Sequence, residues 1–233
     1  MKLAADLHIH SCISPCADMS MTPNNVVNMA YLKGLDVIAV ADHNSARNLP
    51  ACKIVADTRG LLFVPAIEAE SCEEVHVLCY FSTVEAALEM GDWLYQYIPD
   101  IPNVPEIFGE QVALDEFDEP IYTESKLLIQ STTKSIDDIV AKCRELSGVP
   151  VPAHINRTSN SILVSLGFIP PQLRFNTVEV YSRLPVSVEA TENRHVIYSS
   201  DAHRLEDILE CGNYMTAFDR SVQGILSYLA SEM

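Results

Sequence analysis

Residues 6–11 read "DLHIHS", directly after a short apolar run of Leu3, Ala4 and Ala5. Alternate side chains of an extended strand share a face, so His8 and His10 point the same way. The chain has only seven histidines, and two side by side at the end of a first strand point to a ligand held in common. Asp6 stands two residues before His8. It serves either as a partner that fixes an imidazole tautomer or as a cap for local backbone amides.

Outward from that strand, strand-like and helix-like stretches alternate. Residues 22–34 read as a helix, opened by Thr22 with Pro23 and closed by Gly34. Residues 35–42, "LDVIAVAD", form a continuous apolar run of the buried-strand type. A helix interrupted at Pro50 leads to the strand 61–68, then to a strand at 75–81 and a helix at 83–98. Ser135, Asp137, Asp138 and Gly148 delimit another helix. Strands at 149–155, 177–181 and 195–202 and a helix at 221–232 complete the chain. Between 99 and 134 four prolines and the acidic stretch "LDEFDEPIYTES" break the alternation. This excursion reads as a hairpin plus loop, either a solvated insertion or a lid. About seven strands alternating with helices predict one α/β unit over 1–233, a barrel or a doubly wound sheet.

Composition sets the outer bounds. Hydrophobic residues make up 48% and charged residues 20%, a globular balance. No apolar run approaches the ~20 residues that span a bilayer, and the first residues lack the apolar core of a secretory signal. Seven scattered cysteines then read as reduced thiols, so a cytoplasmic protein with no membrane partner is expected. Cys12 and Cys16 lie near the histidine pair but match no common zinc spacing, and read as neighbours rather than ligands. The net charge of −17 repels polyphosphate backbones and predicts a small phosphorylated substrate rather than long nucleic acid.

Five histidines fall at predicted strand ends: His8 and His10, His43 in "VADHN", His154 in "VPAH" and His203 in "SSDAH". Glu68 closes "VPAIE", and Asp201 precedes His203 by two. Active sites of α/β folds gather at that edge. Any one of these histidines is more simply a hydrogen-bonded core or surface residue, and His195 is given no role. Five together with two carboxylates are a metal set, and mixed imidazole and carboxylate donors suit Zn, Mn or Fe. So many donors exceed one tetrahedral ion and imply two or three.

In this order "DLHIHS", "ADHN", the glutamate of "AIEAE", the histidine of "EEVHVL", "PAHINR" and "SSDAHRLEDI" resemble the PHP (polymerase and histidinol phosphatase) superfamily, from residue 6 to about 208. The resemblance implies a distorted (β/α)7 TIM-like barrel and a two- or three-metal centre that hydrolyses phosphate esters. It adds His76 to the ligands, which strand-end placement alone leaves out. It also asks for an aspartate after H-x-H-S. Counting forward reaches Pro15, whereas counting back from Thr22 and Pro23 reaches Asp18, which is taken as the ligand.

The expected activity is hydrolysis of a small phosphomonoester, nucleotide or short oligonucleotide by a metal-bound hydroxide, with Asp201, His203 and Arg157 as catalytic residues. Arg157, three residues after His154, is the best phosphate-binding cation, and Arg183 is a second. No phosphate-binding Walker loop and no G-x-S-x-G elbow is present. One rival is an amidohydrolase-type barrel, which bridges its metals with a lysine. The six lysines (Lys2, Lys33, Lys53, Lys126, Lys134, Lys142) all lie off the strand ends. The other rival is a non-catalytic, metal-stabilised regulatory module.

Overall fold

The computed structural model describes residues 1–233. Its strands are β1 (Lys2–Ile9), β2 (Val37–His43), β3 (Leu62–Glu70), β4 (His76–Tyr80), β5 (Val112–Leu114), β6 (Pro120–Thr123), β7 (Val149–Pro152), β8 (Thr177–Tyr181), β9 (His195–Ser199) and β10 (Tyr214–Thr216). Six of them form one curled sheet in the order β10-β1-β2-β3-β4-β7. β1, β2 and β3 run parallel, while β4 is antiparallel to both β3 and β7. β8 and β9 form a separate parallel pair, and β5 and β6 an antiparallel hairpin. The architecture is mixed α/β, and its ladders do not close the ring of seven strands expected from the sequence. Single links cross the two gaps: Ile155 N–H donates to the Glu179 carbonyl at 2.9 Å, and Ile9 bridges Ala202.

Both faces of the sheet are covered, which is why its strands read as unbroken apolar runs. Leu3, Ala5, Leu7, Val37, Ala39, Val64, Ala66, Leu78 and Tyr80 pack on one face, against Ile225, Leu226 and Leu229 of the C-terminal helix. Ile38, Val40, Phe63, Ile67, Val77 and Cys79 pack on the other, under the helices Pro23–Leu32, Leu49–Arg59, Val84–Tyr95 and Ile136–Glu145. Thr22, Thr83 and Ser135 each cap a helix through the side-chain oxygen, and Ser135 forms a full capping box with Asp138. Pro50 starts the helix Leu49–Arg59 rather than interrupting one, since a first-turn proline loses no intrahelical hydrogen bond. β10 and three short helices within 162–191 and 105–108 were not legible from periodicity.

Two irregularities place the site. Strict alternation from Leu7 would turn His8 to the face opposite Leu3, Ala5 and Leu7. The β1–β2 register shifts between Asp6 and Ile9 instead, and His8 and His10 end on the face that carries Ala66 and Glu68. The reversal of β4 is the second. Glu70 pairs directly with His76, so the start of β4 lies at the carboxyl end of β3.

The 99–134 excursion is packed rather than merely solvated. Val112, Ala113, Leu114 and Leu128 are buried against Cys12, Ile13 and Ile98. Asn48 accepts from Leu114 N–H and donates to Ser11 Oγ and the Val112 carbonyl, tying the hairpin to the loop after β1. Gly109, at φ +87°, lies so close to that loop that a Cβ would come within 2.8 Å of the Pro15 carbonyl. No helix is long and apolar enough to cross a membrane.

Candidate metal centre

At the shared strand edge, three overlapping groups bring potential ligand atoms within 4.8 Å of one another: His8, His10 and Asp201; His43, Glu68 and His76; and His10, His43 and His203. His154 joins through Nε2, 3.1 Å from Glu68 Oε1. Eight of the nine residues expected as ligands therefore meet around Glu68. A cavity of about 400 Å³ opens over them, lined by Cys16, His43, Glu68, Glu70, His76, Ile129, Arg157, Asn160, Asp201 and His203.

The ring tautomers follow from the outer contacts. His8 Nδ1 lies 3.1 Å from both oxygens of Glu179, so Nδ1–H is donated there and Nε2 keeps its lone pair. Ser14 Oγ donates to Asp42 at 2.7 Å and so accepts from His10 Nδ1–H at 3.0 Å. The two Nε2 atoms then face each other at 3.1 Å, each with an unshared pair. Such an arrangement repels unless a proton or a cation lies among the pairs.

Orphaned atoms say the same. Seven buried side-chain N or O atoms lack a hydrogen-bond partner, and four of them are His43 Nδ1, Glu68 Oε2, His76 Nε2 and His154 Nδ1. His43 Nδ1 and Glu68 Oε2 are only 2.9 Å apart, but not aligned as donor and acceptor. Buried polar groups normally find partners, and His43 Nδ1 and Glu68 Oε2, side by side without bonding, suit a cation between them. The residues present fit divalent metal ions.

Charge balance follows from the crowding. Burial opposes protonation of His8, but the charges of Glu179, Glu68 and Asp201 hold its pKa well above the ordinary value. His10 is pushed well below it by burial and by the neighbouring His203 and His43. Glu68 stays ionised far below the usual carboxylate range, because His76, His8 and His43 outweigh its burial. Asp201 is likewise depressed against its burial, chiefly by His8 and His10. Burial would raise the Cys16 thiol, yet His43 and His203 bring it down to about 6.

Two expected residues are not brought in. Asp18 is exposed and its carboxylate accepts the Ser20 amide at 2.8 Å, a local turn that aims it away from the cavity. Arg183 does not line the cavity; it pairs with Asp207 at 2.5 Å, largely in solvent. Arg157 does line it, stacked 4.7 Å from the centre of the Tyr181 ring and paired with Asp201. Asp6 resolves as a cap: it accepts from Ser200 N–H and Oγ and from Leu209 N–H, while the His8 imidazole turns to Glu179.

Sequence reasoning missed Glu179, Glu70, Ser14 and Asp42. Glu179 left a signal, as the one charge inside the apolar strand "TVEVY", and a buried charge requires a partner. Glu70 left another, at two-residue spacing from Glu68 and therefore on its face. Its Oε2 lies 3.3 Å from His76 Nε2. The backbone is strained at the same edge: Asn44, His154 and Asp201 have φ of 49°, 28° and 52°, which non-glycine residues adopt at a cost of about 1–3 kcal/mol.

No family model and no curated protein matches the chain. Solved structures do. The lesion-specific endonuclease Endonuclease Q of Pyrococcus furiosus aligns at a TM-score of 0.68 with 19% identity, over 99% of this chain and 56% of its own. This chain thus spans little more than half of that enzyme. A two-domain Bacteroides vulgatus protein, described as containing a PHP-like metal-dependent phosphoesterase, aligns at 0.61 with 17% identity, over 99% and 63% of the two chains. An amidohydrolase from Chromobacterium violaceum aligns at 0.59 with 20% identity, over 91% of each. The fold is that of the PHP-type metal-dependent phosphoesterases.

One expectation is overturned here. The net charge of −17 predicts against long nucleic acid, yet Endonuclease Q has been solved with a 27-mer duplex carrying an abasic lesion at its active site. Net charge describes a whole surface, whereas a substrate meets the local field of a cleft.

Proposed function

We propose that this protein is a metal-dependent hydrolase of phosphate esters, with nucleotide or oligonucleotide phosphoesters as its substrate class. The observation that carries this reading is the approach of the His8 and His10 Nε2 atoms to 3.1 Å of each other beside Glu68 and Asp201. Two or three ions would be held by His8, His10, Glu68 and Asp201; by Glu68, His76 and His154; and by His43 and His203. Divalent cations bound there supply positive charge that polarises phosphoryl oxygens and acidifies water. The seven links of β1, β2, β3, β4, β7, β8 and β9 support a distorted (β/α)7 barrel formed by one unit over 1–233. Seven free thiols support a reducing, cytoplasmic setting.

The chain's own residues do the rest. Arg157, held flat by Tyr181, exchanges its pairing with Asp201 for a phosphoryl oxygen of the substrate. His203 Nδ1 donates to the Asp201 carbonyl at 2.9 Å, which fixes the ring and leaves Nε2 at the cavity mouth as the atom that would hold a cation. Ile129, from the end of the excursion, supplies an apolar wall, and the Asn44 side chain anchors that segment on the Leu128 carbonyl at 2.9 Å.

The amidohydrolase likeness favours a second reading, hydrolysis of an amide at the same centre. None of the six lysines lines the cavity, so a bridging lysine has no candidate. Elemental analysis of the purified protein, with assays of phosphate mono- and diesters, oligonucleotides and amides before and after chelation, separates the two. Phosphoester cleavage lost on chelation and restored by Mn or Zn is expected. Amide cleavage alone, or bound metal without turnover, would overturn it.

A further inference from the structure

A protein of net charge −17 that takes a polyanion needs a local cationic path to its cleft. Cations and aromatic rings meet where the last turn of the helix Val84–Tyr95 faces residues 126–134. Lys126 lies 4.4 Å from the centre of the Tyr95 ring, and Arg47 lies 5.9 Å from Tyr95 and 4.6 Å from Tyr122. Lys134 lies 4.1 Å from Tyr97 and 5.7 Å from Trp93. Although the chain has 32 carboxylates to 15 cations, neither lysine is paired with one. Lys126 Nζ reaches only the Tyr95 and Ile98 carbonyls, at 3.4 Å. Glu124, the buried carboxylate of the cluster, accepts from the Tyr95 and Tyr122 hydroxyls at 3.1 and 3.2 Å and from the Lys126 amide at 2.9 Å. Arg47 Nε stays 4.0 Å from it.

The cluster borders the metal centre. Ile129 lines the cavity, and Ser131 Oγ donates at 2.9 Å to Glu70 on its wall. Three residues of chain span at most about 11 Å and five about 18 Å, so Lys126 and Lys134 lie close to the mouth, one on each side of Ile129 along the chain. Arg47 comes four residues after His43, and Asn44 Nδ2 ties that loop to the Leu128 and Gln130 carbonyls. Tyr122 is 39% exposed with Arg47 against its ring. Cations beside exposed rings suit a strand of phosphates and bases, since a base stacks on a ring and an acidic peptide offers only charge.

We propose that this rim holds the single strand next to the scissile phosphate, with backbone phosphates on Lys126, Lys134 and Arg47 and a base on Tyr122. This rests on the phosphoester reading above and narrows its substrate class from nucleotides to oligonucleotides.

Anisotropy of a fluorescein-labelled phosphorothioate DNA strand, which resists hydrolysis, reads binding to the metal-loaded protein as salt is raised. Each phosphate contact on a single strand adds about 0.7 to the slope of log K against log salt. K126Q/K134Q is expected to bind several-fold more weakly with that slope smaller by about 1.4, while hydrolysing bis(p-nitrophenyl) phosphate at the wild-type rate. Tyr122→Ala should weaken binding roughly tenfold, and Tyr122→Phe, which keeps the ring, should not. K53Q, whose lysine pairs with Asp57, should match wild type. An unchanged slope in K126Q/K134Q, or poly-glutamate that displaces the strand as well as unlabelled DNA does, overturns the rim and leaves the phosphoesterase standing. Cleavage of no phosphate ester, small or oligonucleotide, overturns the reading beneath it, whatever the rim binds.

Discussion

At the scale of single residues, the centre depends on side chains that would never touch a metal. Glu179 receives His8 Nδ1–H and also the His154 backbone amide at 2.7 Å, so one buried carboxylate holds the ring of a β1 histidine and the backbone of another just after β7. Outer partners of this kind are typically worth about 10–100-fold in metal affinity. Glu179→Gln is expected to weaken Zn or Mn binding by about that factor with the fold intact; an unchanged titration would remove Glu179 from this role. Arg157 acts on substrate instead. Arg157→Ala should raise KM for phosphate esters with metal content unchanged, whereas Asp201→Asn should lower metal content and abolish turnover. Full loading and rate in Asp201→Asn would refute its place in the centre.

At the scale of elements, His76 teaches the most. Strand-end placement assumes parallel strands, and on that assumption His76 lies at the wrong end of its strand. β4 is reversed, so its first residue pairs with the last of β3 and reaches the same edge. The sequence around it is apolar whichever way the strand runs, and periodicity carries no direction. The excursion is a second case: its prolines and acids suggested detachment, yet the β5–β6 hairpin buries Val112 and Leu114 against Cys12. Its closest approach gives a check. Gly109→Ala meets the Pro15 carbonyl, while Gly60→Ala, also at positive φ, meets nothing within 4 Å. Thermal unfolding should show a loss of roughly 1–3 kcal/mol at Gly109 and a smaller one at Gly60. Equal losses would mean that the hairpin does not bear on the loop after β1.

At the scale of the molecule, buried imidazoles and carboxylates make stability depend on metal and on pH. Chelation should lower Tm, because ions that bind only the folded state stabilise it by mass action. In the metal-free protein burial opposes charging of His76, but Glu68 raises its pKa to about 9. That folded value lies above the unfolded one of ~6.5, so the stabilisation is full below ~6.5 and is lost as pH rises to about 9. Glu68 has the opposite sign: its depressed pKa stabilises above the unfolded value and is lost as pH falls through the folded one. Tm of chelated protein should fall from neutral pH towards pH 9, and a flat Tm across that range would remove the His76–Glu68 pair as its cause.

By itself the sequence determined the alternation of elements, the fold resemblance and the residues that converge around Glu68, since periodicity, caps and short ligand spacings are local properties. Only the tertiary structure decided the shift of register that turns His8 and His10 inward, the reversal of β4, the service of Glu179 to two histidines, and the turning of Asp18 to the Ser20 amide and out of the cavity. The first three depend on which strand lies beside which and in what register. Pairings between separate strands set that, and no local pattern encodes it.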